Sequence, residues 1–111
     1  MITTHVLDIA RGVPAAGVTV ILEMRGSHDW TPVGRGTTDA NGRLNSLTTD
    51  HELAPGTYQL TFDLGDYHRD CGMDAPFFPE AKVTFVVDDS SRHYHVPLVV
   101  SPYGYSTYRG A

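Results

Sequence analysis

Short runs of apolar and β-branched residues alternate with turn-forming residues along the chain, and this pattern predicts a protein made mostly of β-strands. Five of these runs are typical of strands, at residues 18–24, 30–38, 57–63, 82–87 and 94–100. A sixth alternating run at 103–109 follows a Ser-Pro break, and Pro102 with Gly104 indicates a turn before it. Roughly seven or eight short strands, with a turn every eight to twelve residues, indicate an all-β sandwich.

Two segments between the strands carry further predictions. Residues 64–71 form the one helix candidate, about two turns long, and Gly72 is placed to end it. Residues 88–92 are polar and lie between the strands predicted at 82–87 and 94–100. We predict that this segment joins the two strands as a hairpin.

The C-terminal segment from His93 to Ala111 concentrates imidazole, aromatic, hydroxyl and guanidinium groups, a mixture that packing alone does not require. Side chains of a strand point to opposite faces with period two. Tyr94 and every second residue after it, as far as Val100, would therefore face the core. His93 and His95 would share the opposite face, so the terminus is predicted to form part of a functional site.

Size and composition limit the possible classes of protein. With 111 residues, the chain is expected to be a single domain spanning residues 1–111. A net charge of −5 and the lack of a Lys/Arg cluster argue against nucleic-acid binding. No apolar run approaches the length of a membrane span. The single cysteine and the absence of a signal-like segment after Met1 lead us to expect a cytoplasmic protein without a disulfide.

Several motifs, in order along the chain, resemble those of one family, the transthyretin-related 5-hydroxyisourate hydrolases. The matching segments are Thr4-His5-Val6-Leu7-Asp8, Gly12-Val13-Pro14-Ala15, Asp39-Ala40-Asn41-Gly42-Arg43, Phe78-Pro79-Glu80, His95-Val96-Pro97-Leu98, Ser101-Pro102 and Tyr105-Ser106-Thr107-Tyr108-Arg109-Gly110. The resemblance implies a transthyretin-like β-sandwich with one short helix. It also implies a homotetramer, built as a dimer of dimers, with active sites in a channel where dimers meet.

The resemblance further implies which residues form the site. His5, Arg43 and His95 would be catalytic, and His5, Arg43 and Tyr108 would contact the substrate. Ser106, Arg109 and Gly110 of the terminal motif would support them. The family usually has serine after Tyr-Arg-Gly, where this chain has Ala111. We expect this difference to remove a supporting hydrogen bond, with activity reduced or unchanged rather than abolished.

The implied reaction is hydrolysis of 5-hydroxyisourate to 2-oxo-4-hydroxy-4-carboxy-5-ureidoimidazoline, a step of urate degradation. A neutral imidazole near pH 7 can take a proton from the attacking water. A guanidinium can hold the urate-like anion and stabilise the oxygen that becomes negative. Either His95 or His5 could be the base, with the other orienting water or delivering the proton. Water is the only co-substrate, so no cofactor and no metal are expected.

Three other functions are open at this point. One is a transthyretin-like carrier that binds a small molecule without catalysis. Another is a zinc-dependent hydrolase that uses His5, His93 and His95 as ligands. The third is a purely structural sandwich module. The remaining histidines, His28, His51 and His68, lie in loop or helix contexts and are expected to have no role in the site.

Overall fold

β-Strands make up most of the regular structure, and they are arranged in two sheets around one apolar core. The structure is a computed structural model and describes all 111 residues. The strands are β1 Ile2–Asp8, β2 Val13–Pro14, β3 Thr19–Arg25, β4 Trp30–Thr37, β5 Arg43–Leu44, β6 Gly56–Asp63, β7 Glu80–Val87, β8 Tyr94–His95, β9 Leu98–Ser101 and β10 Gly104–Thr107, and the helix is α1 Leu64–Asp70. The predicted all-β sandwich with one short helix is confirmed.

The two sheets differ in how they are built. One is a four-stranded antiparallel sheet in the order β4-β3-β6-β7. The other has the order β10-β9-β1-β2, with β5 and β8 also paired to β1. The first strand of the chain runs parallel to β8 and β9, which lie about ninety residues later in sequence. This pairing brings the N-terminal and C-terminal motifs side by side.

The core lies on the alternating apolar faces of these strands. Twenty buried apolar residues form one cluster with contributions from both sheets. On the C-terminal strands the prediction is confirmed, because Tyr94, Val96, Leu98 and Val100 are all buried. His95 on the opposite face is only partly buried. The alternation therefore leaves one face of the C-terminal strands available to build a site.

The hairpin predicted between residues 82–87 and 94–100 is wrong. β7 pairs along its whole length with β6 in the four-stranded sheet, whereas β8 and β9 pair with β1 in the other sheet. The connection therefore crosses from one sheet to the other. The predicted strand 94–100 is also divided in two, because Pro97 has no N–H to donate to a ladder.

The helix and the last turn agree with the sequence. α1 begins after Asp63, whose carboxylate accepts a hydrogen bond from the N–H of Asp66 at 3.1 Å. It ends at Asp70, two residues before Gly72, which has a φ of 97°. β9 and β10 pair antiparallel through Ser101 and Gly104, as the predicted turn requires. No helix of the protein has the length and apolar character needed to cross a bilayer.

Candidate active site

The first strand is the scaffold on which the candidate residues are assembled. On one side of β1, His5 lies opposite Arg43 of β5 in an antiparallel pair. On the other side, Thr3 lies opposite His95 of β8 in a parallel pair. Residues from the beginning, the middle and the end of the chain are therefore fixed by backbone ladders rather than by flexible loops.

A tight turn before β5 fixes the position of Arg43. The Asp39 carboxylate accepts hydrogen bonds from the N–H groups of Asn41 at 2.8 Å and of Arg43 at 3.0 Å. These two bonds hold the pKa of Asp39 below its usual value. Gly42 has a φ of 74°, the left-handed conformation that glycine adopts without strain. The Asn-Gly turn of the sequence thus sets the direction of the following arginine.

Arg43 and His95 line the same open cavity. It has a volume of about 440 Å³. Its lining residues are Met1, Thr3, Arg43, Asn45, His93, His95 and Ala111. The lining combines a guanidinium, two imidazoles, a hydroxyl and an amide, a set that suits a small planar ligand rich in carbonyl and N–H groups.

The surroundings of His95 favour its neutral form. Its pKa is lowered chiefly because the ring is partly removed from water, and further by the charges of Arg43, His93 and His5. Its Nδ1 lies 2.8 Å from the hydroxyl oxygen of Thr3, so Nε2 is the ring nitrogen without a protein partner. An imidazole that is neutral near pH 7 with a free nitrogen is equipped to act as a general base.

The ring of His5 contacts the Asp39–Arg43 turn and is not part of the cavity lining. Its Nε2 lies 2.8 Å from the backbone carbonyl oxygen of Asn41. Because a carbonyl oxygen can only accept a hydrogen bond, Nε2 carries the proton and Nδ1 has the lone pair in the neutral ring. His5 therefore adjoins Arg43 without lining the cavity that Arg43 shares with His95.

The terminal motif supports His95 through Gly110. The N–H of Gly110 donates to the carbonyl oxygen of His95 at 2.8 Å, and the two residues form an antiparallel bridge. A Cβ atom at position 110 would lie 2.5 Å from Cδ2 of His95, so only glycine leaves room for the ring. The guanidinium of Arg109 lies over the ring of Tyr94, 4.9 Å from its centroid. Ser106 pairs with Val99 in the β9–β10 ladder and is exposed.

Within one chain, the structure does not bring Tyr108 together with Arg43. Tyr108 is 55% exposed and lines a second, more apolar cavity of about 230 Å³, together with Phe85, Thr107 and Arg109 among others. His95 lines both cavities and so stands between them. Any contact of Tyr108 with a ligand held by Arg43 requires a ligand that reaches past His95 or a second copy of the chain.

Sequence reasoning missed two residues of this site and left a third in doubt. Thr3 precedes the opening motif, yet its buried hydroxyl contacts both His93 and His95. Asn45, two residues after Arg43, lines the cavity. His93 and His95 are two residues apart and share one face of the strand, and this spacing was the sequence signal that could have placed His93 in the site.

The ligand set proposed for zinc is wrong. No three histidine, cysteine or carboxylate side chains lie together so that they could hold a metal ion. Of the three proposed ligands, His5 is bonded to a backbone carbonyl, and His93 and His95 both turn a ring nitrogen to Thr3.

The chain matches known proteins along nearly its whole length. The model of the HIUase/Transthyretin family matches residues 2–110. A 5-hydroxyisourate hydrolase of Deinococcus radiodurans is 47% identical over 113 aligned positions, covering 99% of this chain and 95% of the relative. The chain therefore belongs to the HIUase/Transthyretin family.

Solved structures agree with this assignment. The 5-hydroxyisourate hydrolase of Klebsiella pneumoniae superposes with a TM-score of 0.85 at 35% identity, covering 99% of this chain and 97% of the other. Sea bream transthyretin, solved in complex with thyroxine, superposes with a TM-score of 0.91 at 30% identity, covering 99% and 94%. The predicted transthyretin-like fold is confirmed, and the fold alone does not separate the hydrolase from the carrier.

Proposed function

We propose that this protein is an enzyme that hydrolyses 5-hydroxyisourate to 2-oxo-4-hydroxy-4-carboxy-5-ureidoimidazoline in urate degradation. Relatives that align along nearly the whole chain are named 5-hydroxyisourate hydrolases. The single observation that carries the proposal is the cavity that Arg43 and His95 share. A thyroxine-type carrier would have no need of a guanidinium and a neutral imidazole in one cavity of this size.

The proposed reaction begins with a water molecule held at the free Nε2 of His95. His95 takes a proton as the water oxygen attacks the ring carbonyl of the substrate. Arg43 binds the planar anion and stabilises the oxygen that becomes negative in the tetrahedral intermediate. The bond between carbonyl carbon and ring nitrogen then breaks, and that nitrogen takes the proton. His5 takes part from beside Arg43, where its bond to the Asn41 carbonyl holds the turn that carries the guanidinium, and no cofactor is needed because water is the only co-substrate.

We further propose that the protein acts as a homotetramer, a dimer of dimers, in the cytoplasm. β7 and β10 are edge strands of the two sheets and leave backbone groups unpaired, which favours pairing with a second copy. Tyr103 and Tyr108 are exposed by 74% and 55%, and tyrosine is enriched at interfaces. In a tetramer, Tyr108 of one copy could reach a substrate bound by Arg43 of another.

The test of this function generates the substrate from urate with urate oxidase and follows the decay of its ultraviolet absorbance. Catalytic amounts of the protein should accelerate the decay over the spontaneous reaction, and mass spectrometry should show a product heavier than the substrate by one water. Treatment with a chelator should leave the rate unchanged. If the absorbance decays no faster than in the spontaneous reaction and the protein binds thyroxine tightly, the protein is a carrier and not an enzyme.

A further inference from the structure

One buried hydroxyl joins two imidazoles at the edge of the cavity. The Oγ1 atom of Thr3 lies 2.7 Å from Nε2 of His93 and 2.8 Å from Nδ1 of His95. The two rings are 6.2 Å apart between centroids, too far for a direct hydrogen bond. Thr3 is 2% exposed, so water has little access to its hydroxyl. The three groups form a continuous chain of hydrogen bonds in which Thr3 is the middle member.

The three groups of this hydrogen-bond chain restrict where its protons can lie. A threonine hydroxyl has one hydrogen to donate and can accept from other donors. When both rings are neutral and both contacts are hydrogen bonds, one ring nitrogen donates to Thr3 and the other accepts from it. If Nδ1 of His95 is the donor, Nε2 of His95 is left with its lone pair toward the cavity. That is the tautomer in which His95 can act as a base.

The two imidazoles differ in how well they can carry a positive charge. His95 is partly buried and lies near Arg43, and both factors lower its pKa. His93 is exposed to solvent, so a charge that reaches it is in contact with water. A proton taken up by His95 is therefore more stable if its charge moves outward to His93, and the hydroxyl of Thr3 provides the path.

We propose that Thr3 and His93 are positioning residues that set the tautomer of His95 and share the proton it takes from water. This inference rests on the function proposed above. As Nε2 of His95 receives the proton of the water, Nδ1 passes its proton to Thr3, and Thr3 passes its own to Nε2 of His93. The reverse transfer follows when Nε2 of His95 protonates the departing ring nitrogen. No proton is gained or lost by the protein over the cycle.

Two substitutions at Thr3 test this directly. Thr3→Val keeps the shape of the side chain and removes the hydroxyl, whereas Thr3→Ser keeps the hydroxyl. We expect Thr3→Val to lower kcat by about 10- to 100-fold, less than the roughly 10²–10⁴-fold of a whole general base because His95 itself remains, with KM changed less than about threefold. Thr3→Ser should restore most of the wild-type kcat. His93→Gln should lower kcat as much as Thr3→Val does. The double variant should lower kcat no further than either single variant, because all three interrupt the same chain of hydrogen bonds.

The pH profile separates this role from a purely structural one. Without the path to His93, the positive charge stays on His95, so the acid limb of kcat should move to lower pH in Thr3→Val. Apart from the chain termini, the titratable or charged residues that line the two cavities beside His95 are Arg43, His93, Tyr94, Tyr108 and Arg109. His5 lies outside both cavities and acts on His95 through its charge. All of these remain in Thr3→Val. An unchanged kcat or an unchanged acid limb in a folded Thr3→Val variant would overturn the proposal, as would wild-type kcat in His93→Gln.

A measurement independent of turnover keeps this test separate from that of the proposed function. The ¹⁵N chemical shifts of the His95 ring report its tautomer, and we expect the Nδ1–H form in the wild type and a mixture in Thr3→Val. A mixture of tautomers already in the wild type would overturn the inference even if the protein is an active hydrolase. An inactive wild type would overturn the proposed function itself, whatever the tautomer.

Discussion

Replacing Gly110 by alanine changes the position of His95 without removing any reacting group. The added Cβ would lie 2.5 Å from Cδ2 and 3.2 Å from Cγ of His95. Carbon atoms need about 3.5 Å or more, so the ring must move by about 1 Å. A misplacement of that size in a catalytic group can reduce the rate by about 100-fold. Alanine keeps the N–H that donates to His95, and Gly110 does not have a positive φ, so the backbone has no reason to change.

We therefore expect Gly110→Ala to lower kcat by roughly 10- to 100-fold, with a melting temperature close to that of the wild type. The assay is the decay of 5-hydroxyisourate absorbance. Gly104→Ala is the matched control, because a Cβ there meets only Oγ of Ser101 at 3.7 Å, an ordinary contact. Wild-type turnover in a folded Gly110→Ala variant, or an equal loss in Gly104→Ala, would show that the contact between position 110 and His95 does not matter for the reaction.

Three further substitutions have defined outcomes. Arg43→Gln should lower kcat/KM by about 100-fold or more, because it removes the guanidinium that binds the substrate anion. It should also move the acid limb of the pH–rate profile to higher pH. The sign follows because the arginine lowers the pKa of His95 and a base loses activity as pH falls through its pKa; a shift to lower pH would contradict it. His68→Leu removes a buried Nε2 atom that has no hydrogen-bond partner. Chemical denaturation should therefore show an unchanged or slightly higher free energy of unfolding, and a loss above about 2 kcal/mol would mean that this nitrogen is paired. Ala111→Ser should raise kcat by no more than about tenfold, the effect of one hydrogen bond, and a larger gain would give the serine a direct part in the chemistry.

The parts of the fold that sequence could predict are those encoded locally. The buried parity of the C-terminal strands, the helix after Asp63 and the turn at Pro102 all follow from alternation, caps and turn residues near one another in sequence. The partner of a strand is not encoded in this way. A polar segment such as 88–92 can close a hairpin or cross to the other sheet, and here it crosses, with the hydroxyl of Tyr94 donating to Asp88 at 2.6 Å and anchoring the crossing.

The first strand shows why part of the site was missed. Thr3 and Thr4 are both buried, so β1 lacks the alternation of apolar and polar residues that marks a half-exposed strand. Each threonine is buried because its hydroxyl is bonded to the C-terminal strands, Thr4 to the carbonyl of Val96 and Thr3 to the two histidines. Those partners lie about ninety residues away, and no local pattern contains them. His5, Arg43 and His95 could be identified as site residues from the resemblance to the family. Thr3 could be identified only from the folded structure.

The central claim, that His95 is the base of a hydrolase, is tested most directly by comparing two histidine substitutions in the same assay. His95→Asn removes the proposed base, and His28→Asn changes an exposed histidine in the loop before β4. The account predicts that purified wild-type protein and His28→Asn consume 5-hydroxyisourate equally fast, while folded His95→Asn is slower by about 100-fold or more. Equal rates for His95→Asn and the wild type would contradict it.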